Sequence, residues 1–318
     1  MISILVNAIR MGVIFLYGCL GEILIEKTGH LNLGIPGTMC IGAAGGGFGV
    51  YICTKMENPS GFAVVGLAIL FSMIFSALAG LIYAFLTVSL KANQNVTGLT
   101  LTTFGVGFMR FFAKLIYDQE KFCQLSKYFK YMFGYDDKST NWAVRLFLTH
   151  GVLVYLSIVL TIIAAIFLKK TKTGLYLRSI GENPATADAA GINVTAYKYI
   201  FILIGSAVAG LGGLYYVMDK SGATTFAEAA IDSFGWMAVA LVIASMWKPT
   251  IALAGSFIFG GLSILDAQIT TMSMAQQKLF ALIPYVLTVL VLILTSIMKN
   301  KNAQPPTALG LTYFREDR

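Results

Sequence analysis

Residues 62–90 read FAVVGLAILFSMIFSALAGLIYAFLTVSL, twenty-nine positions without one Asp, Glu, Lys, Arg or His. A run of about 20 apolar residues crosses about 30 Å of hydrocarbon as an α-helix. In lipid, every backbone N–H and C=O must be satisfied within the protein, which leaves helices and closed barrels as the spanning structures. The stretch therefore reads as a membrane helix. Comparable runs lie at Ile2 to Ile25, interrupted by Arg10 and Glu22, at Gly151 to Leu168, at Tyr199 to Met218 and at Leu279 to Met298. The first continues through Leu16-Tyr17-Gly18-Cys19 to Ile25, as an uncleaved helix does and a removable leader does not. Across all 318 residues, 57% are hydrophobic and 12% charged, and the mean hydropathy is +0.76. An ordinary soluble domain carries about 25% charged residues. The composition thus disfavours a cytosolic enzyme, a secreted disulfide scaffold and a disordered tail, and predicts an all-α polytopic membrane protein of about 8–10 transmembrane helices, some short or broken.

The net charge of +8 would suggest nucleic acid in a soluble protein. Here the basic residues flank apolar runs, where they set orientation, and no nucleic-acid partner is expected. Cys19, Cys40, Cys53 and Cys123 show no C-x-x-C spacing, and His30 and His150 are isolated, so no metal site is expected.

Three stretches are less regular. Leu33 to Cys53 holds seven glycines, Val96 to Phe112 is short and rich in threonine, and Phe234 to Leu265 is split by Lys248-Pro249. Each is expected to cross as a loosely wound helix or to enter and turn back, lining the interior where protein or a polar cavity covers the weakened backbone. Counting the split stretch twice gives about nine spans and puts the termini on opposite faces. The loop 169–198, with Lys169, Lys170, Lys172, Arg178 and Lys198, and the tail 299–318, with Lys299, Lys301, Arg315 and Arg318, are expected on the cytoplasmic face. Residues 1–298 then form one transmembrane domain in the cell membrane, with the N-terminus outside and a cytoplasmic tail. The outer loop 118–150 resists this assignment, because it carries Lys121, Lys127, Lys130, Lys138 and Arg145. Small residues recur four apart at Gly45 and Gly49, Gly80 and Ala84, Ser206 and Gly210, and Ser256 and Gly260, a spacing that lets helices approach closely inside the bundle.

The stretch Thr173 to Ala196, TGLYLRSIGENPATADAAGINVTA, holds a complete short-helix signature. Asn183 can cap the free N–H groups, Pro184 suits the first helical position, and Gly191 suits a left-handed stop after Ala190. Such a helix is about 10 Å long and marginal alone, so something must hold it. Joined to two spans on the basic face, it suits a knob seated in a cleft of a cytoplasmic partner. A surface helix that merely connects the spans is the alternative.

The string Gly181-Glu182-Asn183-Pro184, with Ala187, Ala190, Gly191 and Ile192, resembles the cytoplasmic coupling loop of permeases in bacterial ABC importers for simple sugars, nucleosides and branched-chain amino acids. Residues 21–39, GEILIEKTGHLNLGIPGTM, are similar to the N-terminal pattern of that family, and PTALGLTYFREDR at 306–318 is similar to the ending of the second permease in its nucleoside branch. Lys27, where Arg is usual, and Pro36, where an acid is common, depart from the pattern. The resemblance implies a transport subunit and not an enzyme. It would pair with a second, different permease chain, be driven by a separate ABC ATPase and receive solute from an extracytoplasmic binding lipoprotein. Coupling to the ATPase would fall to Gly181, Glu182, Asn183, Pro184, Ala187, Asp188 and Gly191, with Glu182 and Asp188 available to basic groups of the partner. Arg178 and Lys198 could serve nearby phosphates of membrane lipid or acids of the partner. The sequence has no G-x-x-x-x-G-K-[ST] loop, so ATP is expected on the partner and no cofactor on this chain.

A nucleoside or sugar needs hydrogen-bonding groups and flat apolar faces along its route. Asn95, Thr97, Thr100, Thr103, Phe104 and Phe108 supply both, and the irregular segments around Asn32 and Trp236 are further candidates. Membrane threonines also commonly bond only their own backbone. The alternative function is an ion-coupled secondary transporter, which places ionisable groups deep in its spans. Here Arg10, Glu22, Arg110, Asp232 and Asp266 lie near predicted ends or in irregular stretches.

Overall fold

The computed structural model describes residues 2–135, 141–268, 276, 279, 282–297 and 304–314. Lys138, Lys299, Lys301, Arg315, Arg318 and the side chain of Asp266 lie outside the described residues. The described chain is helical, with no strand. Its helices are α1 (Ile2–Glu26), α2 (Ile35–Thr54), α3 (Gly61–Ala84, continued by a π-turn Phe85–Ser89), α4 (Gln94–Ile116), α5 (Gln119–Ser126), α6 (Trp142–Phe147), α7 (Val152–Lys170), α8 (Lys172–Glu182), α9 (Pro184–Ala189), α10 (Val194–Tyr215, continued by a π-turn Tyr216–Lys220), α11 (Glu228–Ala244), α12 (Pro249–Gln268) and α13 (Ile283–Ile297). Side-chain oxygens of Ser60, Asn93, Asp118, Asn141, Thr171, Asn183 and Asn193 cap α3, α4, α5, α6, α8, α9 and α10. Each satisfies an N–H that the first helical turn leaves free.

Six of these helices, α1, α2, α3, α4, α7 and α10, are long and apolar enough to cross a membrane. The 17-residue α11 and the 15-residue α13 are shorter. At the centre, α1, α2 and α10 are buried over most of their length. Around them, α3 exposes Leu70, Ile74, Leu78 and Leu81, α7 exposes Val159, Ile162 and Ile166, and α13 exposes Val286, Val289 and Ile293. An apolar surface this extensive is at rest in hydrocarbon and not in water.

Two of the irregular stretches prove regular. Helix α2 runs unbroken through its glycines because they serve packing: a Cβ at Gly42 would overlap the backbone of Gly210 on α10. Helix α4 is a continuous 23-residue helix, longer than the short segment expected. The third stretch is split where expected, since Met246 and Trp247 hold positive φ angles of 53° and 55° and Pro249 starts α12. The four-apart small residues work inside the bundle, as read from sequence. Gly45 and Gly49 meet α3, Gly80 meets Ser206, Gly210 meets Ser76, and Gly260 meets Ala8 and Gly12.

Helices α8 and α9, the end of α1 and residues 304–314 gather at one end of the bundle; α5, α6 and residue Arg10, whose guanidinium donates to the Thr149 carbonyl at 2.7 Å, lie at the other. The loop 118–150 is built into that second end, with Phe122 and Phe129 fully buried.

Candidate functional site

Helix α8 buries Leu177, Ile180 and Gly181. A Cβ at Gly181 would overlap the carbonyl of Lys27, so only glycine lets the α8 terminus lie against the end of α1. Asn183 leaves helical geometry (φ −152°, ψ 96°), which ends α8 and starts α9. Its Oδ1 accepts from Thr186 N at 3.0 Å, and Pro184 follows at the first helical position. At the far end Gly191, at φ +84°, donates to Asp188 O at 2.9 Å, and Ile192 N donates to Ala187 O at 3.1 Å. This pair of bonds closes a Schellman motif. The helix comprises Pro184–Ala189, with Ala190 as its cap.

Six residues make a helix of about 9 Å, too short to persist unaided. Ala187 anchors it, packed with Ile180 and Val194 and flanked by Ile192, Tyr197 and Tyr313. The rest of the support comes from the chain's other end. Thr307 Oγ1 donates to Glu182 Oε2 at 2.7 Å, Tyr313 Oη donates to Asp188 Oδ2 at 2.8 Å, and Ala308 N donates to Gly181 O at 2.9 Å. Glu182 and Asp188 are thus both engaged by residues of this chain, and a carboxylate still keeps further acceptor positions. Burial lowers the pKa of the neighbouring Lys27, and the Glu182 carboxylate opposes that shift. Arg178 is exposed, whereas Lys198 is buried with its ammonium 5.9 Å from the centre of the Tyr313 ring. A groove of about 290 Å³ runs between α9 and the tail, lined by Asn183, Pro184, Ala185, Leu311, Tyr313 and Phe314. Sequence reasoning missed Thr307 and Tyr313 as parts of this site, because nothing local ties them to acids so far upstream.

Of the residues read as a solute route, Thr97, Thr100 and Phe104 come together on a cavity of about 310 Å³ between α3 and α4, with Tyr83 and Leu86. The hydroxyls of Thr97, Thr100 and Thr103 donate to carbonyls one turn earlier, at 2.8, 2.8 and 3.2 Å. Phe108 stacks on Phe112 with ring centres 4.5 Å apart, and Asn95 is exposed. Asn32 is fully buried elsewhere; its Oδ1 accepts from Gly34 N and its own N–H donates to Glu22. Trp236 lies half-buried on α11, one turn beyond the half-buried Asp232.

Helix α4 also shows a polar exposed stripe of Thr100, Thr103, Gly107, Arg110 and Lys114. Arg110 pairs with Glu228 at the start of α11 at 2.8 Å, and Asp232 and the exposed Ser233 follow one turn further along. Ionisable groups are costly against lipid, so this face is suited to a water-filled path or another protein surface, unlike α3, α7 and α13. At the other end of α1, Glu22 and Glu26 are fully buried, and the Trp247 indole donates to Glu26. No cluster of three metal-ligating side chains occurs among the described residues.

A bundle of helices adapted to hydrocarbon, with one polar face set apart from the lipid-facing ones, defines a polytopic membrane protein. The chain belongs to the branched-chain amino acid transport system / permease component family, whose model matches residues 4–292. It is 29% identical over 326 residues to the nucleoside ABC transporter permease protein NupC of Lactococcus lactis subsp. cremoris, covering 98% of this chain and 96% of that one. It is 30% identical over 304 residues to the guanosine ABC transporter permease protein NupQ of Bacillus subtilis (94% and 92% covered) and 29% identical over 279 residues to the glucose ABC transporter permease protein TsgC13 of Haloferax volcanii, a protein assigned that role provisionally (85% and 79% covered). This chain is therefore a transport permease and not itself an enzyme.

Proposed function

We propose that this permease passes a nucleoside or simple sugar inward across the cell membrane, driven by a separate ABC ATPase that pushes on α9. The observation that carries the reading is α9 itself: a rigid helix, closed at both ends, standing between α8 and α10. The names of its relatives favour a nucleoside or a sugar as cargo. Under this reading α9 and the tail face the cytoplasm, the N-terminus lies outside, a second and different permease chain completes the pathway, and an extracytoplasmic lipoprotein delivers the solute. The α4–α11 face, with Thr100, Thr103, Asp232 and Trp236, lines the route: hydroxyls and a carboxylate meet the sugar hydroxyls, and aromatic rings meet the base.

The test is uptake of radiolabelled guanosine and glucose by cells carrying the complete transporter, with the ATPase intact or unable to hydrolyse ATP. Uptake abolished by the dead ATPase and indifferent to an ionophore supports the proposal. Transport by the purified chain alone, in vesicles given only an ion gradient, would refute it and turn attention to Glu22 and Glu26.

A further inference from the structure

We infer that the segment 306–313 is a positioning strap, which makes α9 one mechanical unit with the α1–α2 loop and the start of α4. By covalent connection α9 reaches only α8, and through it α7, on one side and α10 on the other. The strap adds a second route. On one side it bonds to the α8–α9 corner, through Ala308 to Gly181, Thr307 to Glu182 and Tyr313 to Asp188. On the other side, Gly310 N donates to Gly29 O at 3.1 Å, Lys91 Nζ donates to Tyr313 O at 2.9 Å, and Gln94 Nε2 donates to Leu311 O at 3.4 Å. Gln94 and Tyr83 in turn hold the backbone of Leu31, at 2.8 and 2.7 Å. A turn with Gly310 at φ +77° directs the strap from one set of partners to the other, while Ala308 is buried beneath it.

The division of these bonds gives the strap its role. Two of them end on carboxylates at the two ends of α9, Glu182 just before it and Asp188 in its last turn, so both ends of the helix are tied to the same segment. Displacement of α9 is then passed to residues 29–31, which lead into α2, and to Lys91 and Gln94, which lead into α4. The central helix α2 and the polar-faced helix α4 move with α9, in addition to α7 and α10. This role in coupling rests on the reading of α9 as the contact with the ATPase; the clasp itself does not.

The experiment compares the full-length chain with Thr307→Val, Tyr313→Phe and the double variant, and uses Thr307→Ser as the conservative rescue. Amide hydrogen exchange on the purified chain is expected to rise at least about tenfold at residues 184–192 and 29–31 in the double variant, as the loss of hydrogen bonds to carboxylates implies, and to return toward the original rate with Thr307→Ser in the single-site comparison. In vesicles holding the complete transporter, guanosine moved per ATP hydrolysed is expected to fall about threefold in the double variant. Unchanged exchange overturns the clasp. Raised exchange with an unchanged transport-to-hydrolysis ratio overturns its part in coupling. Gly191→Val separates the two ideas: if it impairs transport while the strap variants do not, the strap inference alone fails, and if neither does, the reading of α9 fails as well.

Discussion

The hydroxyl of Tyr313 donates to Oδ2 of Asp188 at 2.8 Å, joining the chain's last described segment to a helix 125 positions earlier. That bond turns a helix too short to stand alone into a fixed feature of the bundle end. It also places an aromatic ring between Asp188 and Lys198, which lies over the ring face.

Replacement of Gly191 by valine tests the helix stop. The residue sits at φ +84°, and a Cβ there would meet nothing within 4 Å, so the cost is one of backbone conformation and not of space. A β-branched residue in the left-handed region costs about 1–3 kcal/mol. Uptake and solute-stimulated ATP hydrolysis are expected to fall together while the subunits still copurify, and Gly191→Asn, which tolerates this geometry, is expected to be milder. Normal transport by the valine variant would count against the role given to α9.

At Gly181 the constraint is reversed. A methyl group there would overlap the Lys27 carbonyl and approach Pro306, so Gly181→Ala forces α8 away from α1. The expected loss is about 1–3 kcal/mol, the usual cost of overpacking, read as a lowered thermal unfolding midpoint in detergent.

His30 predicts a dependence on pH. It is 2% exposed, neither ring nitrogen has a hydrogen-bond partner, and burial, reinforced by Lys198 and Lys91, pushes its pKa well below the ordinary 6.5. The unfolded chain therefore binds the proton more readily than the folded one. Stability contributed by the neutral ring is present above the unfolded value and declines as pH falls through and below it. Thermal unfolding between pH 7.5 and 5 is expected to show this decline, and His30→Gln is expected to flatten it.

The proposed solute route is probed at Asp232 and Trp236. Loss of one hydrogen bond to solute costs about 1 kcal/mol, so Asp232→Asn and Trp236→Phe are each expected to raise KM for uptake about fivefold. An unchanged KM in both would remove the α4–α11 face from the route.

Much of the site's local form was legible before any coordinates. Asn183, Pro184 and Gly191 specify α9 within one residue, because capping, the fixed φ of proline and the left-handed stop depend on neighbours a few positions apart. The same holds for the break between α11 and α12 at Lys248-Pro249. The glycines of α2 misled for a physical reason: in an isolated helix they weaken hydrogen bonding, yet packed against α10 and α3 they are what permits contact. Thr97, Thr100 and Thr103 carry the polar groups that the route needs, but each hydroxyl already donates to its own helix. Arg110 and Asp232 were visible singly and acquire meaning only with Glu228, as a group on one face.

By itself the sequence determined that the chain is a bundle of membrane helices with a short capped helix between two of them, since hydropathy, caps and turn residues act over a few residues at a time. Only the tertiary structure decided that Glu182 and Asp188 are held by the chain's own tail, that α2 lies at the centre, and that α4 turns a charged stripe outward. Those outcomes depend on contacts between segments far apart in sequence, where the geometry of close packing selects the partner and no local signal names it.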